Sequence, residues 1–207
     1  MCPPAIILIY QTSARNAMNT ASDKESLEIY TIGHSNHSFE VFFRLLDKYH
    51  IEILVDVRSK PYSRYASHFN KEAIHQKLAE TGIKYLFLGH LVGGRPEEED
   101  FYDMHGHVDY DYLQRSSRFK EGISRLLKGI QVCKVAVFCG EEDPTSCHRR
   151  LLIGRALAQY GVKVLHIRGD GSLQNEAELL SKENLRPEKK QRSLFDIGES
   201  GEWKSTT

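Results

Sequence analysis

The 207-residue sequence has little of several features that mark particular classes of protein. Its 4 cysteines are too few and too scattered for the disulfide framework of a small secreted protein. Its 28 basic and 28 acidic residues cancel, which excludes a broadly basic protein that coats nucleic acid. The apolar run at residues 5–10 is short and follows no basic segment, so neither a signal peptide nor a membrane span is expected. These absences predict a cytoplasmic protein with reduced cysteines and no membrane partner.

What remains is the composition of an ordinary globular protein, with 40% hydrophobic and 27% charged residues. The length favours one domain. Residues 11–27 are small and polar, and the chain after Pro187 is polar and charged, so neither end is expected to build a core. The predicted organisation is a poorly structured extension over 1–27, a single α/β domain over 28–180 and a flexible tail over 181–207.

Segments typical of strands alternate with segments typical of helices along the central part of the chain. The predicted strands are residues 27–33, 52–57, 83–88, 132–138 and 162–167. The predicted helices are residues 39–50 behind a Ser38 cap, 70–80, 112–130 and 144–160. This alternation predicts a three-layer α/β fold, in which a mostly parallel sheet of about five strands carries helices on both faces.

Polar and reactive residues follow four of the predicted strands. They are Gly33, His34 and Ser35 after the first strand, Asp56 and Arg58 after the second, Gly89, Gly93, Gly94 and Arg95 after the third, and residues 139–150 after the fourth. The carboxyl ends of parallel strands meet at one edge of a sheet, where ligands of such folds bind. The sequence therefore predicts a functional site at this edge.

The segment 58–71 combines basic and aromatic residues and contains no acidic one. Its basic residues are Arg58, Lys60, Arg64 and Lys71, and its rings include Tyr62, Tyr65, His68 and Phe69. Basic side chains bind phosphates and aromatic rings stack on bases, so the segment is a candidate for contact with nucleic acid or nucleotides. The alternative is a solvated loop whose rings fold back onto the domain.

The segment 139–150 permits several interpretations. In the first, a helix that starts at Pro144 lowers the pKa of the Cys147 thiol, and Arg149 or Arg150 holds an anion. Three acidic residues precede this helix and would repel phosphate, which argues against a phosphatase-type loop.

A second interpretation is a zinc site formed by Cys139, Cys147 and His148, with His34 as a further ligand. The spacing lacks the C-x-x-C pairs that identify zinc sites, so we assign no metal ligand and no cofactor from the sequence.

A third interpretation makes Glu141 or Asp143 the nucleophile or general base, with His34 and Arg149 orienting the substrate. The structural alternative is that both cysteines pack as small hydrophobic residues and that Asp143 caps the helix.

Four motifs in order resemble one known family. They are TIGHSN at 31–36, LVDVRSKP at 54–61, YLFLGHLVGGRP at 85–96 and FCGEEDPTSCHRRLLIGRAL at 138–157. Over residues 29–168 the sequence resembles the domain of unknown function 488 family, which implies a compact α/β domain and no particular reaction. The recurrent polar positions of that family fall on Gly33, His34, Ser35, Asp56, Arg58, Pro61, Gly89, Gly93, Gly94, Cys139, Glu141, Asp143, Pro144, Cys147, His148 and Arg149.

Together, these features predict a hydrolase or transferase that acts on nucleic acid or a nucleotide and is linked to DNA repair. The predicted catalytic residues are His34, Glu141, Asp143, Cys147 and His148. The predicted substrate- or anion-binding residues are Ser35, Asp56, Arg58, Arg64, Gly93, Gly94, Arg95 and Arg149. Two alternatives stay open. One is a non-catalytic adaptor on nucleic acid, and the other is a small-molecule or metal-dependent enzyme unrelated to nucleic acid.

The tail contains a separate short motif, QRSLF at 191–195. It is similar to the peptide by which bacterial replication and repair proteins dock on the sliding clamp. Gln191 would be the anchor, and Leu194 and Phe195 would fill an apolar cleft on the clamp. The alternative is that this piece of tail docks on its own domain.

Overall fold

A computed structural model describes residues 26–184, and six strands form one sheet within that range. The strands are β1 Glu28–Gly33, β2 Ile53–Asp56, β3 Lys84–Phe87, β4 Val135–Cys139, β5 Lys163–Ile167 and β6 Leu173–Asn175. Their order is β3-β2-β4-β1-β5-β6, and every pairing is parallel except that of β5 with β6. The predicted α/β class and mostly parallel sheet are confirmed.

The sequence prediction missed β6, the antiparallel strand at one edge. It is only three residues long and largely polar, so it lacks the apolar pattern of the other strands. A tight turn after β5 brings β6 back alongside it. In this turn the Arg168 amide donates to the Ser172 carbonyl at 2.9 Å. Gly171 occupies this turn with a φ of +80°, a conformation that favours glycine.

Seven α-helices accompany the strands within the described range, and six of them lie between strands. They are α1 Phe39–Lys48, α2 Lys71–Ala79, α3 Gly89–Val92, α4 Tyr110–Arg115, α5 Ser117–Gly129, α6 Arg155–Gln159 and α7 Glu176–Asn184. Short 3-10 turns lie at Ser67–Phe69, Glu99–Phe101 and Pro144–Ser146, and a π-helical segment at Arg149–Gly154 leads into α6. Within residues 26–184, every helix is too short or too polar to cross a bilayer.

Successive strand residues point to opposite faces and build two separate cores, which gives the three layers. On one face, Val135 and Val137 of β4 pack in a cluster with α3, α4, α5 and α6. On the other face, Ala136 and Phe138 pack in a cluster with α1 and α2. The strands β1, β2, β4 and β5 are therefore largely buried on both sides, as their continuous apolar runs predict.

Two predicted helices are interrupted, so those predictions were wrong. The helix expected over 112–130 breaks at Ser116, whose extended backbone starts α5 and whose hydroxyl accepts from the Phe119 amide at 3.3 Å. The helix expected over 144–160 breaks at Cys147, which is also extended. The Ser116 side chain caps a new helix, and this cap competes with continuation of the preceding helix. The apolar periodicity of the sequence does not reveal this competition.

The sheet has a topological switch point between β1 and β4, which lie side by side with Gly33 opposite Cys139. The connection after β1 contains α1 on one face, whereas the connection after β4 contains α6 on the other. The chain therefore leaves two adjacent strands in opposite directions, and the carboxyl ends of β1 and β4 border a crevice.

Candidate functional site

Four reactive side chains meet beside the carboxyl end of β4, and we call Cys139, Glu141, Cys147 and His148 the thiol cluster. The thiols of Cys139 and Cys147 each donate to Glu141 Oε2, with sulfur–oxygen distances of 3.1 Å. Nδ1 of His148 lies 3.6 Å from the Cys139 sulfur and 3.9 Å from the Cys147 sulfur. The two cysteines are buried, while Glu141 reaches the solvent.

The turn between the two cysteines explains how residues eight positions apart come together. After Cys139, the Asp143 carboxylate accepts from the Thr145 amide at 2.9 Å and caps the turn Pro144–Ser146. The extended backbone of Cys147 then brings its thiol back beside the strand end. The capping role of Asp143 anticipated from the sequence is present, although the cap serves a short turn.

Two contacts fix the orientation of the His148 ring. Its Nε2 lies 3.0 Å from the carbonyl oxygen of Val57, and a carbonyl only accepts hydrogen bonds, so Nε2 carries the hydrogen. The lone pair of Nδ1 is thereby directed toward the two sulfurs. Gly94 packs against the ring, and a Cβ atom there would lie 2.6 Å from both Cβ and Cγ of His148.

The pKa values of Glu141 and Cys147 are shifted in opposite directions. Burial alone would raise the pKa of Glu141, but the hydrogen bonds from both thiols outweigh it and lower that pKa to about 2. The hydrogen bond with Cys139 and burial together raise the pKa of the Cys147 thiol. As the cluster stands, the Glu141 carboxylate therefore faces a protonated Cys147 thiol, in contrast to the reactive thiolate of the first interpretation.

His34 and Ser35 lie on the β1 side of the crevice, next to the thiol cluster. Their amides donate to the carbonyls of Cys139 at 3.1 Å and Gly140 at 2.8 Å, which joins the two strand ends. The His34 ring stacks on Phe69 with centroids 4.5 Å apart, and its Nδ1 donates to the Ser35 carbonyl at 2.8 Å. Burial lowers the pKa of His34, so the ring is neutral near pH 7.

Asp56 and Arg58 form a buried ion pair behind this crevice. Arg58 Nε lies 2.9 Å from Asp56 Oδ1 and Arg58 Nη2 lies 2.6 Å from Oδ2. Tyr85 donates a further hydrogen bond to Asp56 at 2.7 Å, and Arg58 also donates to the Phe69 carbonyl at 2.7 Å. These contacts hold residues 58–71 at both ends, and the predicted anion-binding role of Asp56 and Arg58 stays untested.

Arg149 is fully buried and binds the protein itself. Its guanidinium donates to the carbonyl oxygens of Glu141 and Glu142, and its Nε lies 3.3 Å from Thr31 Oγ1. The guanidinium thus holds the turn that presents Glu141, whereas the sequence pattern predicts an anion clamp. The anion contact of Arg149 stays a prediction.

Arg95 and Arg64 are the predicted anion-binding residues that remain exposed. Neither guanidinium has an ion-pair or hydrogen-bond partner among residues 26–184. Arg95 directly follows Gly94, whose backbone packs against His148, so the backbone of Arg95 borders the thiol cluster. Burial raises the pKa of Tyr110, so this half-buried phenol keeps its proton at neutral pH.

The glycines Gly93 and Gly94 are buried contact points within the protein. A Cβ at position 93 would lie 2.4 Å from Ser59 Oγ, and Gly94 packs on His148. Gly33 has the same role, because a Cβ there would lie 1.7 Å from the carbonyl oxygen of Glu141. These contacts explain the need for glycine without a ligand. Gln191, Leu194 and Phe195 lie outside the described residues.

A buried polar network next to the site was not anticipated. Thr31 Oγ1 lies 2.8 Å from His166 Nδ1, His166 Nε2 lies 2.8 Å from Glu176 Oε2, and Arg150 Nε lies 2.8 Å from the same oxygen. Arg150 was interpreted as an alternative anion clamp, but it is fully buried here. The signal available in the sequence was His166, a polar residue in the apolar second half of the predicted strand 162–167.

A family model described as Domain of unknown function DUF488 matches residues 38–156, more than half of the chain. The chain belongs to the DUF488 family. The matched range of this DUF488 protein includes the whole thiol cluster and residues 58–71 and begins just after His34. Comparisons with curated proteins and with solved structures found no match.

Proposed function

We propose that this DUF488 protein is a hydrolase or transferase acting on nucleotide units of single-stranded nucleic acid, with the thiol cluster as its reaction centre. The observation that carries the proposal is the position of residues 58–71, which we call the basic-aromatic loop. Just before this loop, Val57 contacts His148, and near its end Phe69 stacks on His34. The loop therefore borders the reactive groups on two sides.

The middle of the basic-aromatic loop is suited to bases and phosphates. Tyr62 and Tyr65 are 70% and 96% exposed, far more than a folded-back loop would leave them. Lys60 and Arg64 are exposed beside them. Base–aromatic stacking and phosphate–cation contacts need this alternation of rings and charges, and they recognise single strands with little sequence preference.

The chemistry falls to Glu141, the solvent-exposed carboxylate of the thiol cluster. A carboxylate exposed at the edge of a site is positioned to take a proton from water or from a hydroxyl group. Arg95 directly follows Gly94, which packs on His148, and its exposed guanidinium is the group that would bind a phosphate of the same nucleotide. Glu141 is thus the proposed general base and Arg95 the proposed anion-binding residue.

The binding half of the proposal is tested with a fluorescein-labelled single-stranded oligonucleotide by fluorescence anisotropy. Replacing Arg64 and Tyr65 together by alanine is expected to weaken binding about tenfold or more, because a stacking contact and a phosphate contact are lost. The matched control replaces Arg125 and Tyr160, an exposed arginine and an exposed tyrosine of other elements. Equal affinities for both double variants would overturn the binding proposal.

The catalytic half is tested by mass spectrometry of a mixed-sequence oligonucleotide incubated with the protein. Wild-type protein is expected to change the oligonucleotide, and Glu141→Gln is expected to abolish this change while the anisotropy stays the same. Binding without any chemical change of the oligonucleotide by wild type would favour the non-catalytic adaptor and reject the enzyme.

The tail motif supports a second part of the proposal, a link to DNA repair through recruitment. A peptide covering residues 187–200 is expected to bind purified bacterial sliding clamp, and the same peptide with Leu194 and Phe195 replaced by alanine is expected to lose binding. Equal binding of both peptides would remove the recruitment idea without affecting the site.

A further inference from the structure

We propose that Cys139, Cys147 and His148 bind a divalent zinc-type metal ion, with Glu141 at the fourth position. One ligand atom of each of these three residues lies within 4.8 Å of the other two. The role of the metal in catalysis rests on the proposed function, whereas its presence is measured independently of any turnover.

The distances agree with a tetrahedral site. Zinc–sulfur bonds of about 2.3 Å and zinc–nitrogen bonds of about 2.0–2.1 Å place neighbouring sulfur and nitrogen ligands about 3.6 Å apart. The two sulfur–nitrogen distances are 3.6 Å from Cys139 and 3.9 Å from Cys147 to His148 Nδ1. The side chains thus need little movement to receive the ion.

The tautomer of His148 is the one that a metal ligand requires. Its Nε2 hydrogen is held by the Val57 carbonyl at 3.0 Å, which leaves the Nδ1 lone pair directed at the sulfurs. A ligating histidine typically donates its other ring N–H to a carbonyl or carboxylate in this way. Gly94 leaves room for the ring in this orientation.

Two sulfurs, an imidazole nitrogen and a carboxylate oxygen form the soft-to-borderline donor set that zinc prefers. When the two zinc–sulfur bonds form, the two thiol protons leave to solvent, and the two thiolates balance the charge of the ion. Instead of binding a metal ion, Cys139 and Cys147 could form a disulfide with each other. That disulfide would remove both thiol hydrogens, and Glu141 Oε2 would lose the two hydrogen bonds that it accepts from the thiols.

Glu141 distinguishes this site from a closed structural site. Its Oε2 lies 3.1 Å from both sulfurs, so it stands where a fourth ligand would bind, yet the residue is exposed on its other side. Catalytic zinc sites combine three protein ligands with an exchangeable fourth position. Glu141 can therefore yield that position to water or substrate and accept a proton there.

The test uses the full-length protein, purified without metal-affinity resin and kept reduced. Elemental analysis is expected to find about one zinc ion per chain, and the chelator-stripped protein is expected to bind added ZnCl₂ at one site by calorimetry. After replacement by Co²⁺, a thiolate-to-cobalt charge-transfer band is expected, which reports sulfur ligation directly in folded wild-type protein.

Variants separate the ligands from their surroundings. Cys147→Ser and His148→Gln are expected to lower zinc affinity at least 100-fold, since loss of an outer-shell partner alone costs about 10–100-fold. Glu141→Gln is expected to keep the zinc, and His90→Gln, an exposed histidine outside the cluster, is the control that leaves affinity unchanged.

Stripped wild-type protein that binds no zinc, a cobalt spectrum without the thiolate band, or a metal-free Cys139–Cys147 disulfide in protein isolated without reductant would each overturn the metal site. Zinc bound at one site without any change of the oligonucleotide would overturn the proposed reaction and leave the metal site standing.

Discussion

Glu176 holds the most deeply buried ion pair among the described residues, and its removal offers a sharp test of the fold. Its Oε2 accepts from Arg150 Nε and from His166 Nε2, both at 2.8 Å, and Glu176 is only 2% exposed. Breaking one partner of a buried pair costs about 3–5 kcal/mol, because an uncompensated charge stays behind. Arg150 keeps a second partner, the partly exposed Glu183 at 2.7 Å, so Glu176→Gln is expected to cost about 3 kcal/mol.

Urea unfolding followed by circular dichroism measures this loss. With a slope of about 2 kcal/mol/M, the midpoint should fall by about 1.5 M at an unchanged slope. Glu178→Gln is the matched control, since Glu178 is exposed on the same helix and its change should stay within about 0.5 kcal/mol. A midpoint for Glu176→Gln no lower than that for Glu178→Gln would refute the reasoning.

A double variant tests whether an unpaired buried charge causes the loss of stability expected for Glu176→Gln. Replacing Arg150 by Met and Glu176 by Leu removes both charges, so no buried charge is left unpaired. The double variant is therefore expected to lose less stability than the sum of the two single variants. Simple additivity would show that the pair does not interact as the distances indicate.

Three further predictions follow from packing, protonation and capping. Gly94→Ala is expected to cost about 1–3 kcal/mol of stability, because the new Cβ would lie 2.6 Å from His148, whereas Gly129→Ala, with its nearest contact at 3.6 Å, should be neutral or stabilising in the same urea assay. Burial lowers the pKa of His166, so the unfolded chain takes up a proton that the folded chain excludes, and stability should fall as the pH drops below about 6.5. In metal-free buffer His166→Gln should reduce that slope, and an unchanged slope would contradict a buried neutral ring. Ser116→Ala is expected to cost about 0.5–2 kcal/mol through loss of the α5 cap, and a stability equal to wild type would mean that the helix break needs no cap.

Capping residues and apolar runs in the sequence predicted most of the helices and strands that depend on them. The helix α1 begins behind Ser38, whose hydroxyl accepts from the Val41 amide, as its sequence indicates. The strands β1, β2, β4 and β5 lie within or close to the expected ranges because buried parallel strands are continuous apolar runs. The break at Ser116 was missed, since an apolar period of 3.6 continues across it.

The partners of charged residues were beyond prediction from the sequence, because they are chosen by tertiary contacts. Arg58 and Arg149 looked like free cations, but their partners are Asp56, backbone carbonyls and Thr31. The approach of Cys139 to Cys147 was equally hidden. It depends on a capped turn and on one extended residue between two helical segments, and no ligand-spacing rule describes that geometry.

The two edge strands of the sheet affect the tendency of the protein to aggregate at high concentration. The edge strands β3 and β6 have four and three residues, and their outer backbone groups could otherwise pair with a second copy. Strands this short offer few bonds to a partner, and the exposed Lys84 at the start of β3 opposes a further strand by its charge and hydration. The shortness that makes β6 a weak sequence signal, together with the charge on β3, therefore protects the sheet from edge-to-edge aggregation.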